Sequence, residues 1–264
     1  MTIFQAFILG IIQGLTEFLP VSSSGHLALV QHFMGLPQVP IAFDVLLHMA
    51  TLLAVVYILS RPINDLVVKT YKAIVSRKIN QIPKLLWLLI IGTIPAAILG
   101  LLFNDYMDTI FQSVRYFSIG FLITSILLNI ASHIRSQEKS LKQMSLMESF
   151  KIGVFQAIAI FPSISRSGAT ISGALLAGFG VKDAFTFSFL LSIPAILGAS
   201  ILHIKQIFYI NSSQIPAYSV GFIAAAISGY IALLVFRQTL INKKLSIFAY
   251  YCMFLSLLIF FFVK

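Results

Sequence analysis

Apolar residues run through this chain in long blocks, interrupted at wide intervals by short polar stretches. Ten apolar segments can be marked, at 3–19, 26–36, 42–60, 84–104, 114–133, 147–161, 168–180, 184–204, 215–237 and 245–263. The third, fourth, fifth, eighth, ninth and tenth are long enough to cross a bilayer as helices, at about 1.5 Å per residue. The first and second, and the sixth and seventh, are shorter and come in pairs, each pair joined at a Pro/Ser/Gly break. Short broken pairs in corresponding places are the pattern of re-entrant hairpins around a site at membrane depth.

Composition agrees with that pattern. The chain has 264 residues, 59% of them apolar and 10% charged, with a mean hydropathy of +0.97. No soluble domain of this size can hide so much apolar surface, so an all-α, polytopic membrane protein is expected. The net charge of +10 does not point to nucleic acid, because the basic residues sit in short loops, where they set topology. Met1-Thr2-Ile3-Phe4 lacks a basic n-region, so the first segment is read as retained and not as a signal peptide. Cys252 is the single cysteine; it excludes a disulfide within the chain and reads as a packing residue.

The two halves look related. Gly10, Gln13, Ser22, Ser24 and Gly25 recur 143 positions later as Gly153, Gln156, Ser165, Ser167 and Gly168. Phe43, Leu46, Leu47 and Leu53 match Phe187, Leu190, Leu191 and Leu197 at a shift of 144. The expectation is one membrane domain, 1–264, made of repeats at about 1–133 and 147–264, each a re-entrant hairpin followed by three spans. Three spans are an odd number, so the second repeat must be inverted. If 61–84, 134–151, 180–183 and 237–244 face the cytoplasm, fourteen of the eighteen basic residues lie there. Only Arg115, Lys205 and Lys264 lie opposite, a strong positive-inside bias. The hairpins then enter from opposite faces and their tips meet, with the remaining basic residue, Arg166, in the second tip.

The tips carry the polar residues that could do chemistry. The first reads Gln13-Gly14-Leu15-Thr16-Glu17-Phe18-Leu19-Pro20-Val21-Ser22-Ser23-Ser24-Gly25-His26, and the second Pro162-Ser163-Ile164-Ser165-Arg166-Ser167-Gly168-Ala169-Thr170. A Ser-Ser-Ser-Gly turn opening a helix offers unpaired N–H groups and a positive dipole end, which suits phosphate. An arginine at membrane depth needs an anion; Arg166 has Glu17 of the facing tip, or a bound phosphate, and the two readings can coexist. Gln13 and Glu17, four apart, share a helix face and form a plausible part-shell for Mg²⁺. His26, in the first turn after the serines, is read as catalytic. Asp44 and His48, also four apart, are weaker candidates for supporting the site. His32 and His203 are read as interfacial, His133 as facing cytoplasmic headgroups, and Asp105 and Asp108 as solvated in an outer loop. Glu148 suits a helix start, and the basic, proline-broken loop 61–84 is expected to lie against anionic headgroups.

Both tip motifs resemble the undecaprenyl-diphosphatase family of the bacitracin-resistance type. Phe43-Asp44-Val45, Ile94-Pro95-Ala96 and the Gly221–Gly229 segment extend that similarity over nearly the whole chain. The resemblance implies a bacterial inner-membrane enzyme, active site facing the periplasm, that removes one phosphate from a C55 polyprenyl diphosphate. It implies a divalent cation, Mg²⁺ with Ca²⁺ as the alternative, held through Glu17 and Gln13, and it leaves a homodimer open. Position by position, the family's glutamate becomes Glu17, its histidine His26, its hydroxyl candidate Ser23 and its arginine Arg166; His26 activates either Ser23 or a water, or attacks phosphorus itself, three routes that sequence does not separate. Gln13, Ser22, Ser24, Gly25, Ser165, Ser167, Gly168 and Thr170 are the expected substrate-binding set. Two positions depart: Gln13 stands where many members have glutamate, and Ser163 where the second motif usually has glycine.

A lipid flippase or anion transporter is the competing class, because inverted repeats and broken helices also serve alternating access. It predicts similar equipment on both tips. At the 143-residue offset Glu17 faces Ile160, Ser23 faces Arg166 and His26 faces Ala169, which favours an enzyme. A non-catalytic scaffold leaves the polar set without a purpose.

Overall fold

The computed structural model describes residues 1–36, 39–110, 116–134 and 138–263, with the backbone alone at 104–110. These residues are helical throughout, apart from short turns and one isolated bridge between Lys139 and Phe179. In chain order the helices are α1 (Ile3–Phe18), α2 (Ser23–Phe33), α3 (Ile41–Ile58), α4 (Ser60–Val75), α5 (Lys84–Ile110) and α6 (Phe117–His133). They continue with α7 (Leu146–Ile158), α8 (Arg166–Leu176), α9 (Val181–Leu202), α10 (Ile204–Ile207), α11 (Ile215–Ile241) and α12 (Ser246–Phe262).

Four stretches among the described residues are long and apolar enough to span a membrane: Ile41–Ile58, Lys84–Phe103, Val181–Leu202 and Ser212–Ile241. The chain is thus an all-α, multi-spanning membrane protein. The fifth and tenth apolar segments become α6 and α12, of 17 residues each, the lower edge of what crosses a hydrocarbon core of about 30 Å.

Three boundaries differ from the sequence reading. Residues 60–75 form α4 and not a loop. Pro62 falls in its first turn, where the missing N–H has no intrahelical acceptor anyway, and Asp65 and Lys69 pair one turn apart at 3.9 Å. Val67, Val68, Tyr71, Ile74 and Val75 of α4 stay exposed. α5 continues through Asp105 and Asp108 to Ile110, so these acids lie on a helix and not in a loop. The second members of the broken pairs also begin earlier than their apolar residues, at Ser23 and Arg166. Arg115, Arg135 and Lys264 lie outside the described residues.

In lipid the apolar effect gives helices little reason to associate, so close backbone approach through small residues decides their packing. α1 lies along α11 and α7 along α5. A Cβ on Gly10 would stand 2.3 Å from the Gly221 carbonyl oxygen, and one on Gly153 would stand 2.3 Å from that of Gly92. Serines add a hydrogen bond at each interface, Ser228 Oγ to the Ile11 carbonyl at 3.3 Å and Ser149 Oγ to the Leu88 carbonyl at 2.5 Å. Between them a phenylalanine cluster fills the centre, with the Phe18 ring edge-on to Phe189 at 5.6 Å. This packing holds the ends of α1 and α7 in place.

Gly10→Val or Gly153→Val should therefore destabilise the protein by about 1–3 kcal/mol each, as overpacking does. Gly198→Ala, where an added Cβ meets nothing within 4 Å, should not lower the thermal melt, since alanine suits a helix interior better than glycine by about 1 kcal/mol. Equal melting of all three variants in detergent would contradict this packing.

Candidate active site

The site is built where the two helix pairs break. α1 ends at Phe18 because Leu19 precedes Pro20, and a residue before proline is pushed out of the helical region; Leu19 is extended, at φ −60° and ψ 139°. Ser22 then takes φ 69°, a conformation that L side chains adopt at a cost of about 1–2 kcal/mol, and α2 starts at Ser23. In the second break Pro162 precedes Ser163, at φ 62°. That angle is the physical reason a glycine suits this position. Ser165 caps α8, accepting from the Gly168 N–H at 3.1 Å.

The two breaks touch. The Ser163 N–H donates to Ser24 Oγ at 3.3 Å, and Ser167 Oγ reaches the Leu19 carbonyl at 3.5 Å. Gly25 makes room for this approach, since a Cβ there would sit 2.6 Å from Ser163 Oγ. Within each break the hydroxyls pair, Ser22 with Ser24 and Ser165 with Ser167, both at 3.2 Å.

At the centre lies Glu17, 8% exposed. Arg166 Nη2 donates to its Oε1 at 2.5 Å, while Ser23 Oγ and Gln13 Nε2 donate to Oε2 at 2.7 and 3.2 Å. His48 Nε2 stands 3.6 Å from the same Oε2, and its Nδ1 donates to the Asp44 carbonyl at 3.0 Å. A carboxylate shielded from water is stable only with partners of this kind. Of the eight buried side-chain polar atoms without a partner among the described residues, two belong to residues that hydrogen-bond Glu17: Arg166 Nη1 and Gln13 Oε1. Their residues already bond the carboxylate through Nη2 and Nε2, so one donor and one acceptor in the cluster remain unsatisfied.

The expected site residues do not all converge. Glu17, Gln13, Ser23 and Arg166 do, and His48 joins them, with Asp44 behind it. His26 forms no hydrogen bond with that cluster. Its Nδ1 bonds the Ser22 carbonyl and its Nε2 the Tyr251 hydroxyl, each at 2.7 Å. Thr170 turns away too, onto the Arg166 carbonyl at 2.9 Å and onto Ser188. Tyr251 carried no sequence signal, being one of nine tyrosines in an apolar segment. Cys252, one residue on, packs in the core, with its thiol 3.7 Å from the Pro20 carbonyl.

A family model described as bacitracin resistance protein BacA matches residues 6–258. The chain belongs to this family. It is 42% identical over 255 residues to the undecaprenyl-diphosphatase of Carboxydothermus hydrogenoformans, covering 95% of this chain and 94% of that protein. It is 39% identical over 270 residues to the undecaprenyl-diphosphatase of Methanobrevibacter smithii, covering 98% and 97%. Undecaprenyl-diphosphatase 4 of Bacillus thuringiensis subsp. konkukian is 42% identical over 257 residues, covering 97% and 95%.

For a divalent cation, no group of three His, Cys, Asp or Glu suited to metal occurs among the described residues. The donors present are one carboxylate, Glu17, and the unpartnered Gln13 Oε1. That set fits Mg²⁺, which retains water and leans on one or two carboxylates plus substrate phosphate.

The central pair should dominate local stability. Arg166→Met alone leaves a buried, unpaired carboxylate and should cost about 3–5 kcal/mol. Glu17→Leu combined with Arg166→Met should lose less than the two single changes summed. Additive losses in thermal unfolding would show that the pair is not coupled.

Proposed function

We propose that this chain hydrolyses undecaprenyl diphosphate to undecaprenyl phosphate and inorganic phosphate, recycling the lipid carrier for peptidoglycan synthesis and giving bacitracin resistance. The curated relatives carry that activity in their names. The observation that carries the reading is the contact of Arg166 and Ser23 with one buried carboxylate, Glu17, at the junction of the two breaks.

The architecture we propose around it is a pair of inverted repeats, about 1–133 and 147–264, each with a re-entrant hairpin and three spans. Support comes from the equivalence of two close contacts: Gly10 on Gly221 and Gly153 on Gly92, Gly10 and Gly153 being 143 positions apart. The loop charges favour a site opening to the periplasmic side of a bacterial inner membrane. The prenyl tail lies in the bilayer and enters sideways between helices.

The hydrogen bonds around Glu17 support the following mechanism. Arg166 leaves Glu17 for the terminal phosphate, which its planar fork and free Nη1 can clamp. N–H groups of the two serine-rich turns hold the remaining oxygens. Ser23 Oγ attacks the terminal phosphorus and its proton passes to Glu17 Oε2, its partner at 2.7 Å. The bond from phosphorus to the bridging oxygen breaks, and prenyl monophosphate departs with that oxygen. Water then attacks the Ser23 phosphate and gives its proton to His26 Nε2; Ser23 Oγ leaves phosphorus and recovers its proton from Glu17. A cation held by Gln13 and Glu17 would supply charge neutralisation on the phosphates.

Release of inorganic phosphate in detergent, where no gradient exists, separates this from transport. Ser23→Ala, Glu17→Gln and Arg166→Ala should each lower turnover about 10²–10³-fold, the scale of one lost electrostatic contact in a dry site, and chelator should slow the wild type. Near-normal phosphate release by Glu17→Gln would remove the proposal.

A further inference from the structure

His26 has a defined tautomer. Its Nδ1 lies 2.7 Å from the Ser22 carbonyl oxygen. A carbonyl can only accept, so the proton of that bond sits on Nδ1. In the neutral ring Nε2 is then an acceptor, and the Tyr251 hydroxyl at 2.7 Å donates to it.

The ring's orientation is fixed as well. The Tyr251 ring lies within 10° of parallel to it at 5.7 Å between centroids, and the Phe121 ring meets it edge-on at 5.4 Å. Tyr251 itself is carried on a stretch of α12 that is pinned on both sides. Ser125 Oγ bonds the Ala249 carbonyl and Ser256 Oγ bonds the Ser118 carbonyl, both at 2.7 Å, while the Cys252 thiol reaches the Pro20 carbonyl at 3.7 Å. The helix that brings Tyr251 to His26 is thus fastened both to α6 and to the first break. On α2, His26 stands three residues after Ser23, one turn along the same face.

We propose that Tyr251 is a positioning residue for hydrolysis, whose hydroxyl keeps His26 Nε2 aimed and unprotonated until the attacking water takes its place. This rests on the activity proposed above. The exchange needs no new chemistry: an O–H of Tyr251 donating to Nε2 gives way to an O–H of water donating to the same lone pair, and the water's proton follows that bond. A base whose lone pair points at the incoming proton in advance spends no barrier on reorientation.

Tyr251→Phe keeps the ring and removes the hydroxyl. It should lower kcat about tenfold with KM unchanged, and the double variant His26→Ala with Tyr251→Phe should be no slower than His26→Ala alone. Nitrogen-15 spectra of histidine-labelled protein in nanodiscs give a second, activity-independent reading. The wild type should show His26 protonated on Nδ1, with the Nε2 signal, assigned by its loss in His26→Gln, shifted in Tyr251→Phe. Multiplicative losses in the double variant, or an Nε2-protonated ring in the wild type, would overturn the inference. If the wild type releases no phosphate, the proposed activity fails on its own, while the nitrogen spectra still decide the hydrogen bond.

Discussion

A glutamate and an arginine 149 positions apart, joined at 2.5 Å, set the terms for the rest of this molecule. Each charge alone, buried away from water, would cost several kcal/mol; together they are stable only if both helix breaks arrive at the same place. The prolines that end α1 and interrupt the α7–α8 connection, the strained serines at 22 and 163, and the small residues between the turns all serve that meeting. A substrate with two phosphates is the chemical complement of a guanidinium that can exchange one anion for another.

The helix packing supplies the rigidity the pair needs. Gly10 against Gly221 and Gly92 against Gly153 bring backbones together where side chains in lipid would gain little by doing so. The same contacts fix the ends of α1 and α7, from which the breaks begin, so the charged centre inherits its geometry from apolar surfaces well away from it. The distinct equipment on the two sides, a carboxylate and a hydroxyl on one and a guanidinium on the other, makes the junction asymmetric and suited to chemistry on one headgroup.

Much of this was legible in the residues because polar groups inside apolar segments have few innocent explanations. Glu17, Ser23 and Arg166 stand out for that reason, and the structure joins them. His48 was visible only as a neighbour of Asp44; its approach to Glu17 depends on how α3 packs, which local spacing does not encode. Tyr251 was hidden because a tyrosine in an apolar segment usually reads as an interfacial residue, and its partner lies 225 positions away. α4 was obscured by Pro62 and by its basic residues, which mark a loop as readily as a helix start. α2 and α8 start earlier than the apolar pattern marks, because their first residues, Ser23 and Arg166, are polar and carry no hydrophobic signal.

The central claim is that both breaks grip one diphosphate. The most direct test is an experimental structure with a methylene-bridged prenyl diphosphate, which cannot be cleaved. The account predicts the terminal phosphorus beside Ser23 Oγ with Arg166 turned from Glu17 onto its oxygens. A headgroup bound to one break alone, with the Arg166–Glu17 pair intact, would contradict it.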